Sequence, residues 1–288
     1  MRKWAILGGD KRQIETLERF REKGISVSAW GLGEASTDNE WKSAVRDAEA
    51  VVLPLPVTED GIRIRTPMEE ERGLRFLSLL NELPPDTIIF GGKIPELWQV
   101  QAEGIGIRLY DYFQSEALQM RNALPTVEAA VYLAMQYLPV TLDGCQTAVL
   151  GYGRIASLLA EKLIALGAEV TVYARKEKDR LHAELRHCHV MPLVDKNGVS
   201  VLRKLPTDCR IVFNTVPHPI VDREILGCWR RDLILMELAS VPPGGFDTVA
   251  ASEMVFPLVM ASALPGKHFP ETAGNIVADT LLEWSGLF

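Results

Sequence analysis

The chain has 288 residues, of which 47% are hydrophobic and 24% charged, with a formal net charge of −7. That length suits two domains of ordinary size, and the composition excludes a disordered or fibrous protein. The negative charge argues against a nucleic-acid or anionic-membrane surface. There is no signal-peptide core and no run of the ~20 apolar residues that a membrane helix needs. Four cysteines without any CxxC spacing read as free thiols, and a cytoplasmic protein is expected.

The first 110 residues alternate short apolar runs with amphipathic stretches. Residues 3–8, 25–30, 49–54, 87–92 and 105–110 read as strands covered on both faces, and 11–24 and 68–83 as helices. The stretch 61–67 departs from this pattern and reads as a small β-extension. Pro125 and Thr126 predict a break and a capped start to a linking helix over 126–138. A second alternating series follows: strands at 146–151, 169–174, near 189–191, at 209–214, 232–238 and 253–257, with helices between them. The last 18 residues read as one amphipathic helix. The expected architecture is α/β with two doubly wound domains. A smaller flavodoxin-like substrate-side domain spans 1–125 and a Rossmann NAD(P)-binding domain spans 126–270. The helix of 271–288 returns toward the first domain.

Gly151-Tyr152-Gly153-Arg154-Ile155-Ala156 has the form GxGxxA between a strand and a helix. Gly151 permits the tight turn, Gly153 leaves room for a pyrophosphate, and Ala156 lets the helix pack closely, with Arg154 and Ile155 opening its first turn. The strand that follows should end at an acidic residue if it reads an unmodified adenine ribose. It ends instead at Arg175 and Lys176, whose charge suits a 2′-phosphate and therefore NADP. A solvated basic helix start is the alternative. Two later segments lie past strand C-termini, where such a fold lines its cleft. Asn214, Thr215, Val216 and Pro217 follow one strand, and Leu238, Ala239 and Ser240 the next.

Taken together, "GGDKRQ" (8–13), "NALPTVEAA" (122–130), "GYGRIA", "VYARK", "FNTVP", "ELASVPPGGFD" and "ALPGKHFPETAG" (263–274) resemble the A subunit of dipicolinate synthase along nearly the whole chain. The resemblance implies NADP-dependent oxidation of dihydrodipicolinate, or of its hydroxytetrahydro precursor, to pyridine-2,6-dicarboxylate during sporulation. It also implies a flavoprotein partner, the B subunit of that synthase. Alanine stands at 129 and 156, where many relatives are expected to have glycine.

Such a reaction needs groups that hold two carboxylates and accept a proton. The candidates are Arg12 and Lys267 as carboxylate partners, Thr126 and Thr272 at helix starts, and Glu128 for the proton, with His218 as a lesser shuttle. Each has a plain alternative as a cap, ion pair or loop residue. His187 and His189 could share one side of a strand, but no further ligand is near in sequence, and no metal site is expected. Two rival readings stay open. One is a non-catalytic NADP-binding scaffold for a flavoprotein. The other is a 2-hydroxyacid or alanine dehydrogenase-like enzyme, disfavoured because "ELASVPP" carries no substrate-binding arginine. A homo-oligomer is compatible with either.

Overall fold

A computed structural model describes residues 3–69, 73–84, 86–239 and 244–286. They fall into two compact units, Met1–Asn122 with Pro265–Phe288, and Ala123–Leu264.

The first unit is built on five parallel strands, β1 (Lys3–Leu7), β2 (Ser26–Trp30), β3 (Ala50–Val52), β4 (Ile88–Gly91) and β5 (Arg108–Asp111), in the order β2-β1-β3-β4-β5. This is the flavodoxin-like order, whose direction of winding reverses between β1 and β3. Strand β1 shows why both faces must be covered. Trp4 and Ile6 join one buried cluster with Leu17, Phe20, Val277 and Leu281, whereas Ala5 and Leu7 join another with Val51, Leu53, Phe76 and Trp98. Around the sheet lie α1 (Lys11–Glu22), α2 (Trp41–Val45), α3 (Phe76–Leu80) and α4 (Glu96–Gly104).

Helix α5 (Glu116–Tyr137) runs from the first unit into the second. The expected break at Pro125 does not occur: the helix passes straight through it. Proline removes one backbone donor and costs ~3 kcal/mol inside a helix. Ala123 before it and Val127, Ala130 and Ala134 after it nevertheless continue one buried stripe. Thr126 is therefore a buried mid-helix residue and not a cap.

The second unit holds β6 (Gln146–Leu150), α6 (Arg154–Ala165), β7 (Glu169–Tyr173), α7 (Glu177–Glu184), β8 (His189–Met191), β9 (Ile211–Asn214), α8 (Arg223–Gly227), β10 (Ile234–Glu237), α9 (Thr248–Glu253) and β11 (Leu258–Met260). Its six parallel strands lie in the order β11-β10-β9-β6-β7-β8. That is the doubly wound order of dinucleotide-binding domains, with its reversal between β6 and β9. The strand expected at 253–257 lies further on, at β11. Val255 has φ +61°, a left-handed conformation that no β-branched residue adopts within a strand. Of the helix expected over 68–83, residues 70–72 lie outside the described residues and the described part holds α3, while 61–67 contributes an antiparallel bridge, Arg63 to Arg75.

The chain then returns to the first unit through α10 (Leu264–His268) and α11 (Pro270–Ser285). Helix α11 lies on α1, where the Thr16 hydroxyl donates to the Gly274 carbonyl at 3.1 Å and Arg19 Nε donates to Asp279 at 3.1 Å. A β-carbon at Gly274 would fall 2.5 Å from Glu15 Cβ, and one at Gly266 would fall 2.6 Å from Arg12 Nε. The "PGKHFPETAG" stretch is thus a packing device, with both glycines spent on close approach to α1. No helix among the described residues is long and apolar enough to cross a membrane.

Candidate functional site

In doubly wound sheets, ligands collect beyond the strand C-termini at the reversal point, because two loops there diverge and leave a crevice. In the second unit those loops begin at Leu150 and Asn214, which are paired in register. Gly151 has φ +94°, and a β-carbon on it would lie 2.6 Å from Thr215 Oγ1. Thr215 closes this turn by donating its hydroxyl to the Leu150 carbonyl at 2.8 Å. Nothing lies within 4 Å of a β-carbon built on Gly153, and no side chain caps α6, which starts there. The first N–H groups of a 12-residue helix therefore face open space, the arrangement that accepts a phosphate. Ala156 is fully buried beneath, and Arg154 and Ile155 form the first turn above it.

Arg175 and Lys176 are exposed just past β7. The turn carrying them is braced from behind. Arg180 Nη1 donates to the carbonyls of Ala174 and Arg175, both at 2.9 Å. Val216 and Pro217 line the loop beyond β9. Asn214 shapes this loop and makes no outward contact. It is fully buried, its Nδ2 donates to Glu237 (2.6 Å) and to the Val216 carbonyl (3.0 Å), and its Oδ1 accepts from Val216 N–H (3.1 Å). Leu238 and Ala239 are also buried, with 7% and 8% of their surface exposed, and Ser240 lies outside the described residues. His218 is exposed on the same loop as Pro217.

The first unit gathers charge at its own reversal point. Asp10, the N-cap of α1, accepts from Arg12 Nε (2.9 Å) and Nη2 (2.8 Å) and from Arg65 Nη1 (3.0 Å). Burial raises its carboxyl pKa, but the Arg12 bonds and charge, with Arg65 behind them, prevail and bring it from 3.8 down to about 2. Arg12 also donates to the Leu55 carbonyl at 2.5 Å and is only 4% exposed. The structure thus commits its guanidinium to Asp10 and to the β3 loop, and the expected direct carboxylate contact is not what it displays.

Lys93, just beyond β4, is a residue that the sequence patterns above do not single out. Its backbone N–H donates to Asp111 Oδ1 at 3.0 Å, and its ammonium stands 5.2 Å from the centre of the Phe113 ring. It retains solvent exposure, yet the crowding of protein around it and the neighbouring Arg12 charge push its pKa below 10.5, against a smaller opposing pull from Asp111. A signal exists in the sequence: "GGK" follows an apolar strand in the same way that "GGDKR" follows β1.

Lys267 is exposed, one residue after the glycine that lies against Arg12. Thr272 is exposed in the first turn of α11. Glu128 is placed elsewhere, paired with Lys162 Nζ at 3.0 Å on an exposed face of the second unit, and the structure gives it an ion pair in place of a proton-handling role. A cavity of about 470 Å³ is lined by Trp4, Arg46, Asp47, Thr87 and Arg108. It lies at the N-terminal edge of the first sheet, the opposite end from this charge cluster. No group of three or more metal-ligating side chains occurs among the described residues.

Comparison with known proteins agrees with this layout. Residues 3–113 match the family described as the N-terminal domain of the A subunit of dipicolinate synthase. The chain is 29% identical to the A subunit of dipicolinate synthase from Bacillus subtilis (strain 168), covering 97% of this chain and 94% of that one. The crystal structure of the dipicolinate synthase A chain from Bacillus subtilis superposes with a TM-score of 0.82 at 25% identity, over 99% of this chain and 96% of that one. A transhydrogenase from Sinorhizobium meliloti shares the fold alone, with a TM-score of 0.69 at 14% identity over 98% and 93% of the two chains. Residues 3–113 thus match the family of dipicolinate synthase N-terminal domains, and the chain as a whole is similar to the synthase's A subunit in both sequence and fold.

Proposed function

We propose that this chain is the NADP-dependent subunit of a dipicolinate synthase, oxidising dihydrodipicolinate or its hydroxytetrahydro precursor to pyridine-2,6-dicarboxylate in sporulating cells. One observation carries the reading: an open GxGxxA turn at the β6/β9 reversal, with Arg175 and Lys176 exposed where an acidic residue would select NAD, on a chain related to that enzyme. Gly151, Gly153 and the first N–H groups of α6 suit a pyrophosphate, and Arg175 and Lys176 suit a 2′-phosphate. NADP⁺, when bound, supplies the hydride acceptor.

The remaining work falls to the chain. Making an aromatic ring from a dihydropyridine is strongly downhill, so orientation and charge neutralisation matter most. Lys93 and Lys267 are exposed ammonium groups of the first unit suited to the two substrate carboxylates, and the half-buried Asp10–Arg12–Arg65 cluster holds the loops behind them. The proton released with the hydride leaves to solvent or to a basic side chain, and from the hydroxytetrahydro precursor the ring hydroxyl must also leave as water together with a ring proton. The flavoprotein B subunit of the synthase is the partner that the family resemblance implies.

Calorimetric titration of the purified chain with NADP⁺ and NAD⁺, each with and without dipicolinate, tests this reading. Preferential NADP⁺ binding that dipicolinate strengthens supports it. NADP⁺ binding indifferent to dipicolinate favours the scaffold reading, and failure to bind either nucleotide refutes the proposal.

A further inference from the structure

Glu237 ends β10 with a side chain only 1% exposed. A buried carboxylate costs several kcal/mol unless its oxygens are met by donors. Here four N–H groups meet it. Oε1 accepts from Asn214 Nδ2 at 2.6 Å and from Ala239 N–H at 3.0 Å, and Oε2 accepts from Gly245 N–H at 2.8 Å and from Phe246 N–H at 3.2 Å.

These donors belong to two different loops. Asn214 governs the loop after β9, because its amide grips Val216 on both backbone groups. Ala239, Gly245 and Phe246 belong to the segment after β10. Leu238 N–H donates to the Asn214 carbonyl at 2.9 Å, which ties the two loop roots together again. An apolar side chain here would leave these four N–H groups buried without an acceptor, so the carboxylate is what holds their two segments together. What the carboxylate adds is a fixed position for Asn214, at the root of the β9 loop, relative to Ala239, Gly245 and Phe246 after β10.

Those loops lie past the C-termini of β9 and β10. The adenosine ribose is read at the end of β7, on the other side of β6, so the second mononucleotide of a bound dinucleotide extends toward β9 and β10. We propose that Glu237 is a positioning residue for the nicotinamide ring of the dinucleotide, acting through Asn214 and the N–H groups of Ala239, Gly245 and Phe246. It touches no ligand itself. The proposal rests on the dinucleotide reading above.

The test is calorimetric titration of the full chain and two variants with NADP⁺ and with 2′-phospho-ADP-ribose, which has the same adenosine half and no nicotinamide. Glu237→Gln turns one acceptor into an amide facing N–H donors. It is expected to raise the NADP⁺ Kd at least about tenfold, while that for 2′-phospho-ADP-ribose stays within about twofold. Gly245→Ala would drive a β-carbon onto the Asn214 amide, disturbing the same clasp without touching the carboxylate, and should show the same selective loss. It carries the test if Glu237→Gln does not fold. Equal losses for both ligands, no loss for either, or equal affinity of the unmodified chain for the two ligands would overturn the proposal. Failure of the unmodified chain to bind either ligand refutes the dinucleotide reading itself, a result distinct from binding without selectivity.

Discussion

Replacing Asp10 by asparagine should cost the first unit about 2 to 4 kcal/mol at neutral pH. Its carboxyl falls from 3.8 to about 2 in the folded chain. At ~1.36 kcal/mol per pH unit, that difference contributes about 2.4 kcal/mol. The upper end of the range comes from leaving the guanidinium of Arg12, itself only 4% exposed, without its charged partner. Because the folded pKa lies below the unfolded one, the contribution is complete above about pH 5, falls to about half by pH 3, and vanishes as the pH drops through 2. Urea unfolding followed by tryptophan fluorescence suits the measurement, since five of the six tryptophans (Trp4, Trp30, Trp41, Trp98 and Trp284) belong to the first unit. The wild-type advantage over Asp10→Asn should shrink between pH 7 and pH 3. A loss under ~1 kcal/mol at pH 7, or one unchanged at pH 3, would refute the claim that the Asp10 charge organises this cluster.

Other measurements bear on the two units separately. Arg175→Ala should weaken NADP⁺ at least about tenfold more than NAD⁺, a guanidinium–phosphate contact being worth ~1.5–3 kcal/mol; equal losses in titration would remove the 2′-phosphate role. Lys93→Gln should lower dipicolinate affinity. In the unaltered chain, affinity should fall with rising pH earlier than an ordinary lysine would allow, because the depressed pKa brings loss of the ammonium to lower pH; a flat titration series from pH 7 to 10 would count against it. Ellman titration of the native chain should find one fast thiol, Cys228. Burial pushes Cys188 up to about 11 and Cys209 up to about 12 and raises Cys145, so three fast thiols would contradict this burial. Gly274→Val should destabilise the first unit by ~1–3 kcal/mol through overpacking against α1, measurable as a lowered Tm.

Much of this architecture is legible in the sequence. Strands such as "KWAIL" and "QTAVL" announce themselves because parallel strands covered on both faces read as unbroken apolar runs, and the GxGxxA turn follows one directly. The continuous helix through Pro125 is not legible, because proline's local penalty is overridden by a buried stripe that only tertiary structure reveals. Nor is Val255, whose local sequence favours a strand while its backbone turns left-handed. Asn214 shows a different limit: its place after a strand marks it as a cleft residue, but a sequence does not say that a buried glutamate 23 residues later takes its amide. Lys93 and Arg65 escape a sequence reading because their significance lies in Asp10, Arg12 and Asp111, which come to them from other strands' loops.

The interrupted first unit has a consequence for how this chain is made. Its sheet is synthesised early, yet the helix that lies on α1 is made only after the whole of Ala123–Leu264 has been synthesised. At ~5–20 residues per second that interval is on the order of ten to thirty seconds. Throughout it Leu17 and Phe20 lack part of the apolar cover that Val277 and Leu281 later supply. The nascent chain is therefore expected to be most vulnerable to aggregation, and most dependent on chaperones, until Pro265–Phe288 has been made. A fragment ending at Asn122 would hold that vulnerable state permanently, with α1 left without its α11 cover.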